Sequence, residues 1–526
     1  MIHTTARHQY FALILLLLLA AGVTALWINK GREHHFPDAP NGQFACLSYT
    51  PRTSVPHPTE ADTRKQIAID MKQLSVRTRC VRTYSVMNGL DEVPVVARKL
   101  GMHVLLGIWI GRDTDANEKE IQHAIDIGNA NHDVIEAIIV GNEVLLRREQ
   151  EAPALSAMMQ RVQTATQLPV TYADVWDFWL KNPSLAEHAS FVTIHILPYW
   201  DDIPIAVEHA MDHVDEIYKK VQEKFPGRSI YVGETGWPSA GRQRQGALPS
   251  LIDEARFTRE FIAFANAHSL PNNFIEAYDQ PWKKALEGTV GGYWGLYDAD
   301  GNEKFPLTGS VIEDTHWWLG LLSGVVVAAL LTVLVWIKQV RTITPLATYA
   351  VAGFCLGAIV PLQWQYWMIS NRDWQEWLSA VVWGLACDAV FLCALIPASV
   401  EGAIVKRIVL AAESVLLFGV AYINLGLVFD ARYRDFPSMF LLLPVITLVI
   451  GKINFTAKDN LLTSMSAVYK LLFALWMLIS VIAIAYIEHF TNINAIWWCV
   501  CCGLLAWAVL PQRSKVGQPL QVNADV

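Results

Sequence analysis

The sequence predicts a (β/α)₈ barrel on the outer side of a membrane, joined to an α-helical polytopic membrane domain. Three observations lead there. The chain has 526 residues, of which 53% are hydrophobic and 17% charged, too apolar for a soluble globular protein and too long for one domain. The apolar excess is uneven: about Arg32 to Asp314 reads as an ordinary soluble domain, and the rest is apolar runs long enough to cross a bilayer. Within the soluble part, short β-type runs alternate with stretches of helical length eight times in about 280 residues, the count and length of such a barrel.

The organisation follows as residues 1–31, a signal-anchor segment; 32–314, the barrel; 315–512, a seven-helix membrane domain; and 513–526, a cytoplasmic tail. Phe11–Ile28 is the first apolar run; its length favours a retained anchor, and Ala20-Ala21-Gly22 leaves cleavage open. Seven further spans are expected at about Trp317–Ile337, Pro345–Trp367, Trp377–Val400, Ile408–Phe429, Met439–Ile450, Leu471–Ile487 and Ala495–Leu510. With the barrel outside, inner loops hold nine basic residues (Lys338, Arg341, Lys406, Arg407, Lys452, Lys458, Lys470, Arg513, Lys515) and outer loops three (Arg372, Arg432, Arg434). The excess of positive charge marks the cytoplasmic side, so both termini are expected inside and the barrel in the periplasm or exterior. Asp388 and Glu413 fall within spans, either as packing contacts or as a polar path.

The barrel strands are read at Phe44–Tyr49, Cys80–Ser85, His103–Trp109, Val134–Glu143, Pro169–Tyr172, Phe191–Leu197, Ser229–Glu234 and Phe274–Asp279. Asp62–Leu74, with Ile67, Met71 and Leu74, and Ile205–Phe225, with Val207, Ala210, Val214 and Ile217, repeat near the helical period. Cys46 and Cys80 lie on the first two strands and read as two buried thiols, a bridge being the alternative. Cys499, Cys501 and Cys502 read as small packing residues of a span.

In a barrel of this kind the C-terminal strand tips carry the chemistry. Glu143 closes one strand in Gly141-Asn142-Glu143, and Glu234 closes another in Gly233-Glu234-Thr235-Gly236-Trp237-Pro238-Ser239. Two carboxylates facing one groove are what a glycosidase requires, one to protonate the leaving oxygen and one to attack the anomeric carbon. That division of labour predicts pKa values pushed apart, with Glu143 protonated. The other tips supply Tyr49, Tyr84, Trp109, His195, Tyr199, Trp200, Glu276 and Tyr278, with Trp176 and Trp294 nearby. Aromatics, amides and carboxylates together suit sugars, whose C–H faces stack on rings and whose hydroxyls need directional partners.

The stretches Val140–Val144, Val232–Gly241, Val81–Tyr84 and Glu276–Lys283 resemble glycoside hydrolase family 17, over about Arg32–Leu307. The family's members are retaining (β/α)₈ enzymes active on β-1,3-glucan. The resemblance implies that Glu143 is the acid/base and Glu234 the nucleophile; Asn142, beside Glu143, is expected to hydrogen-bond the sugar 2-hydroxyl. One departure is Tyr278-Asp279-Gln280, where the family commonly has Phe-Asp-Glu. The layout of a family-17 domain between an anchor and a polytopic C-terminus is similar to bacterial membrane proteins described as β-1,6-glucan synthases.

The expected function is thus a membrane-anchored hydrolase or transglucosylase acting on β-1,3-linked glucan at a bacterial inner membrane. The alternatives are a β-1,6-glucan synthase or exporter using the membrane domain, and a glucan sensor. Expected partners are a β-glucan and the lipid bilayer. No metal or cofactor is expected, the oligomeric state stays open, and a net charge of −8 without a basic aromatic patch argues against nucleic acid.

Overall fold

Strands and helices alternate along the barrel as the hydrophobic pattern requires. The computed structural model describes residues 6–39, 42–52, 58–338, 340–396, 402–453 and 465–510. After the apolar helix α1 (Ala6–Lys30) come β1 (Glu33–His35), β2 (Leu47–Ser48), α2 (Glu60–Leu74), β3 (Cys80–Arg82), α3 (Glu92–Leu100), β4 (His103–Ile108), α4 (Thr114–Ala130) and β5 (Ile135–Asn142). Then follow α5 (Ala152–Thr166), β6 (Val170–Val175), α6 (Trp176–Lys181), β7 (Val192–His195), α7 (Ala210–Lys224), β8 (Ile230–Glu234), α8 (Leu251–His268), α9 (Lys284–Glu287) and β9 (Ser310–Ile312). The helices begin where their caps say: the Thr59 hydroxyl accepts from Asp62 N–H at the start of α2, and Ser250 accepts from Asp253 N–H at the start of α8.

Strands β2 to β8 form one parallel sheet in sequence order. The eighth position is filled by irregular backbone rather than a regular strand at Phe274–Asp279. Phe274 N donates to Cys46 O at 2.9 Å and Asn273 N to Val232 O at 2.8 Å, so the segment bonds to both edges and closes the ring. The helices bury the expected faces, Ile67, Met71 and Leu74 on α2 and Ala210, Val214, Ile217 and Val221 on α7. A separate interior cluster fills the lumen with Cys46, Cys80, Leu105, Ala137, Ile139 and Ala173.

Cys46 and Cys80 are disulfide-bonded, with Cα atoms 4.4 Å apart. The expectation of two thiols is corrected here. Neighbouring parallel strands point both side chains into the same lumen, and sequence spacing does not encode that register.

Outside the ring, β1 pairs antiparallel with β9, Glu33 opposite Ile312. This clasp ties together the chain entering from α1 and the chain leaving for the C-terminal helical bundle. The latter contains α10 (Trp318–Ile337), α11 (Ile343–Ser370), α12 (Trp374–Ala394), α13 (Ala403–Phe429), α14 (Ser438–Ile453), α15 (Ala467–Glu488) and α16 (Ile493–Val509). Among the described residues, six helices are long and apolar enough to cross a membrane, and α14 and α16 are shorter apolar helices. Inside the bundle, several polar groups are mated: Trp27 Nε1 donates to Ala358 O at 2.9 Å, Trp498 Nε1 to Asn424 Oδ1 at 2.8 Å, and Gln363 Nε2 to Asp388 Oδ1 at 3.1 Å. The Gln363 bond favours the packing reading of Asp388. Lys458 and the tail 513–526, with Arg513 and Lys515, lie outside the described residues.

The helix ends alternate, so the loops after α11, α13 and α15 lie against the barrel. Lys284 Nζ donates to Ile369 O at 3.1 Å and Asn371 O at 3.2 Å, and Arg242 ion-pairs with Glu488 at the end of α15. Arg242 and Glu488 are each 3% exposed.

Candidate active site

At the C-terminal mouth of the barrel, the tips of β3, β5, β7 and β8 place Arg82, Asn142, Glu143, His195 and Glu234 together. At the end of β5 the register against β6 shifts between Ile139 and Asn142, and Glu143 adopts a left-handed φ of 52°. A shift of this kind re-aims side chains at a strand end, here turning consecutive residues toward the mouth. Between β7 and β8, His195 is opposite Glu234. Gly233 makes that approach possible: a Cβ there would lie 2.5 Å from Thr193 Cγ2 and 3.2 Å from His195 Cδ2.

Arg82 is fully buried and organises the cluster. Its Nη1 donates to Glu234 Oε1 at 3.1 Å and Gly233 O at 2.7 Å, and its Nη2 to Asn142 Oδ1 at 2.5 Å. With Asn142 Oδ1 so engaged, the Asn142 amide N–H₂ remains for a ligand. Tyr84 OH donates to the same Glu234 oxygen at 2.8 Å and lies 2.7 Å from Ser48 Oγ. These charge-assisted bonds fix the Glu234 carboxylate in position. Burial and the neighbouring Glu234 charge push the Tyr84 phenol well above its ordinary range, leaving it a donor.

His195 Nδ1 is 3.0 Å from Glu143 Oε1 and 3.6 Å from Glu234 Oε2. Burial pushes the Glu143 carboxyl up, but the hydrogen bond and charge of His195, then Arg147 and Arg82, together outweigh it, and the net direction is down. The expectation that the free site holds Glu143 protonated is therefore corrected; the imidazole beside it stabilises the carboxylate. Around the pair, burial raises Asp174 to about 6 and Glu287 to about 7. Burial likewise raises Glu276, which Lys283 Nζ grips through both oxygens at 2.8 and 2.9 Å.

His195 Nδ1 and one oxygen each of Glu143 and Glu234 lie within 4.8 Å of one another, a donor set that suits a cation by composition. The Arg82 guanidinium, already paired with Glu234, opposes a second positive charge there.

A cavity of about 800 Å³ opens from this centre, lined by Glu143, Glu234, His195, Trp176, Trp200, Trp294, Lys283 and Glu287 among others. Within its walls, Trp176 Nε1, Trp294 Nε1 and His195 Nε2 are buried without a hydrogen-bond partner, donors and acceptors suited to hydroxyl groups. Not all expected contacts reach it. Ser48 points into the lumen, so Tyr49, next along the strand, points outward and donates to Asp70 on α2 at 3.1 Å. Tyr278 is buried with its hydroxyl on Asp70 O and Gln73, and Tyr199 is buried with its hydroxyl on Arg242 O at 2.7 Å. Tyr199 instead braces Trp200 and Trp294, with ring centroids 5.1 and 6.0 Å away. Trp109 is half-exposed outside this cavity under the Arg147 guanidinium.

Sequence reasoning left Arg82, Lys283 and Glu287 without roles. Arg82 and Lys283 stood inside recognised motifs, and that was their signal. Arg432 and Tyr433, which also line the cavity, come from the loop after α13 and carried none.

A carboxylate pair at the mouth of a closed barrel, in an aromatic groove, defines a glycosidase-class enzyme. Residues 46–295 match the BtgE/BtgC glycoside hydrolase domain, so the barrel is a glycoside hydrolase domain and is similar to family 17. A glucan 1,3-β-glucosidase of Arthroderma benhamiae is 28% identical over 259 residues, covering 45% of this chain and 82% of that protein. A glucan 1,3-β-glucosidase of Saccharomyces cerevisiae is 23% identical, covering 45% and 83%. Among solved structures, the family-17 β-1,3-glucanosyltransferase of Rhizomucor miehei is 25% identical, with a TM-score of 0.45, covering 52% of this chain and 99% of that one.

Proposed function

We propose that this chain is a membrane-anchored, retaining β-glucan hydrolase or transglucosylase acting on β-1,3-linked glucan. The observation that carries the reading is the approach of Glu143 and Glu234, whose carboxylate oxygens come within 4.8 Å. Retaining glycosidases hold their carboxyl groups about 5–5.5 Å apart, whereas inverting ones leave about 6.5–9.5 Å for a water. The names of the relatives supply the linkage.

In this reading Glu234 is the nucleophile, with Arg82 offsetting its charge. Its carboxylate attacks the anomeric carbon while the C–O bond to the leaving sugar breaks, and Glu143 gives that oxygen its proton. A glucosyl ester on Glu234 results. Glu143, now a carboxylate, takes the proton of an incoming water or sugar hydroxyl, whose oxygen bonds the anomeric carbon and releases Glu234. Glu143 must carry a proton in the substrate complex before the first step, which burial favours and the His195 hydrogen bond opposes. Asn142 is free to hydrogen-bond the 2-hydroxyl. Trp176, Trp200 and Trp294 can hold an acceptor at high effective molarity, which favours transfer over hydrolysis.

In this reading the barrel lies on the extracytoplasmic side of a bacterial inner membrane. The Cys46–Cys80 disulfide supports an oxidising compartment, as does the concentration of basic residues in the far loops. Membrane-impermeant thiol labelling of Asp202→Cys but not Thr342→Cys in intact cells is the expected pattern, and the reverse would overturn the orientation. Incubation of the full chain with laminari-oligosaccharides tests the activity. Products longer than the donor establish transfer, shorter products alone establish hydrolysis, and an unchanged donor contradicts the proposal.

A further inference from the structure

The loop between α13 and α14, residues 430–437, belongs by sequence to the membrane domain, yet it forms part of the groove wall. Arg432 and Tyr433 line the same cavity as Glu143 and Glu234. Tyr433 is 38% exposed within it, with its ring centroid 6.2 Å from that of Trp200 and tilted by 56°. Arg432 Nη2 donates to Trp200 O at 3.1 Å, and its guanidinium lies 5.0 Å from the Trp200 ring centre. Asp201 and Asp202 follow Trp200 on the same wall. Two rings at an angle, with a guanidinium and carboxylates at their edge, have the chemistry of a sugar subsite: apolar faces for C–H groups and charged edges for hydroxyls.

The loop is held rigidly in this position. Asp435 accepts from the Thr289 hydroxyl, the buried Arg242 donates to Arg434 O, and its guanidinium lies 4.5 Å from the Phe436 ring centre. Gly288 is in backbone contact with the loop; a Cβ there would sit 2.8 Å from Tyr433 O and 3.0 Å from Tyr433 Cα. A subsite wall works when its supports are fixed before ligand arrives, and these contacts fix it from the barrel.

We propose that Arg432 and Tyr433, with Trp200, form a glucan subsite shared between the barrel and the membrane domain, so that a bound chain is gripped beside the bilayer. The proposal rests on the glucan reading above. Its consequence is that chain-length dependence of binding is set in part by a loop that a free-standing barrel of this kind would not possess.

The test uses the full chain in detergent with Glu234→Gln to stop turnover. Affinity is measured calorimetrically for laminari-oligosaccharides of increasing length, with and without Tyr433→Ala, Arg432→Ala and Tyr433→Phe. Tyr433→Ala and Arg432→Ala should each weaken the longer oligosaccharides by about tenfold, a difference of ~1.4 kcal/mol, and leave the shortest binder unchanged. Tyr433→Phe should restore most of the loss. If the intact-loop protein binds no laminari-oligosaccharide, the glucan reading itself falls. Should it bind with length increments identical in Tyr433→Ala and Arg432→Ala, the shared subsite alone is overturned. Arg432→Ala carries the test if Tyr433→Ala does not fold.

Discussion

His195 is the residue on which the chemistry of the pair turns, because its Nδ1 reaches both carboxylates at 3.0 and 3.6 Å. It lowers Glu143 against the upward push of burial. A general acid must be protonated in the enzyme–substrate complex to act, so its pKa there sets the alkaline limb of the kcat profile. Removing a group that lowers the pKa must raise it. His195→Ala is therefore expected to move the alkaline limb to higher pH while reducing the maximum; a limb that stays in place would mean that another group is the acid. The two carboxylates were legible in sequence because each ends a β-branched run in a glycine-bearing motif. The environment of Glu143 was not, since His195 comes to it from a different strand. Tyr49 and Tyr278 were misread for a related reason: a strand tip names the residue but not which way its side chain turns, and both turn toward Asp70 on α2.

The unit that positions the site at the scale of elements is the β7–β8 pair, where the Thr193 and His195 side chains crowd β8 so closely that only Gly233 fits. Gly233→Ala would drive its Cβ into Thr193 Cγ2 at 2.5 Å, displacing His195 and Glu234 together. The expected cost is about 1–3 kcal/mol of stability, typical of overpacking a filled interior, with a fall in turnover larger than the change in substrate affinity. Thermal unfolding and steady-state kinetics on one preparation check both, and normal kinetics in a stable Gly233→Ala protein would show that the spacing is not critical. Seven of the barrel strands were legible from β-type runs recurring between stretches of helical length. The closing segment was legible as a position but not as irregular backbone, because its bonds to β2 and β8 are set by ring closure and not by its own residues. The β1–β9 clasp gave no local signal at all, being three residues on each side brought together by the rest of the fold.

Barrel and bundle meet through buried polar contacts when the molecule is considered whole. Arg242 and Glu488 are both almost fully inaccessible at that seam, and breaking a buried pair by deleting one partner costs about 3–5 kcal/mol because the other charge is stranded. Arg242→Ala is expected to lower the unfolding temperature of the full chain and to expose the 430–437 loop to protease. An unchanged unfolding temperature would show the seam to be loose. Hydropathy made the long apolar helices legible from sequence. The docking of loops 371–373, 430–437 and 489–492 on the barrel was not legible, because the pairing of Arg242 with Glu488 spans 246 positions and no local pattern records it.

The central claim is a double displacement on Glu234, and trapping the covalent intermediate tests it most directly. The full chain is treated with an activated 2-deoxy-2-fluoro-β-glucoside or -laminaribioside, which slows both steps and lets the ester accumulate, and the labelled peptide is sequenced by mass spectrometry. The account predicts one fluoroglycosyl group on Glu234, with its formation strongly reduced in Glu234→Gln. A label on any other residue, or turnover of laminari-oligosaccharides releasing the α-anomer with no adduct, would contradict it.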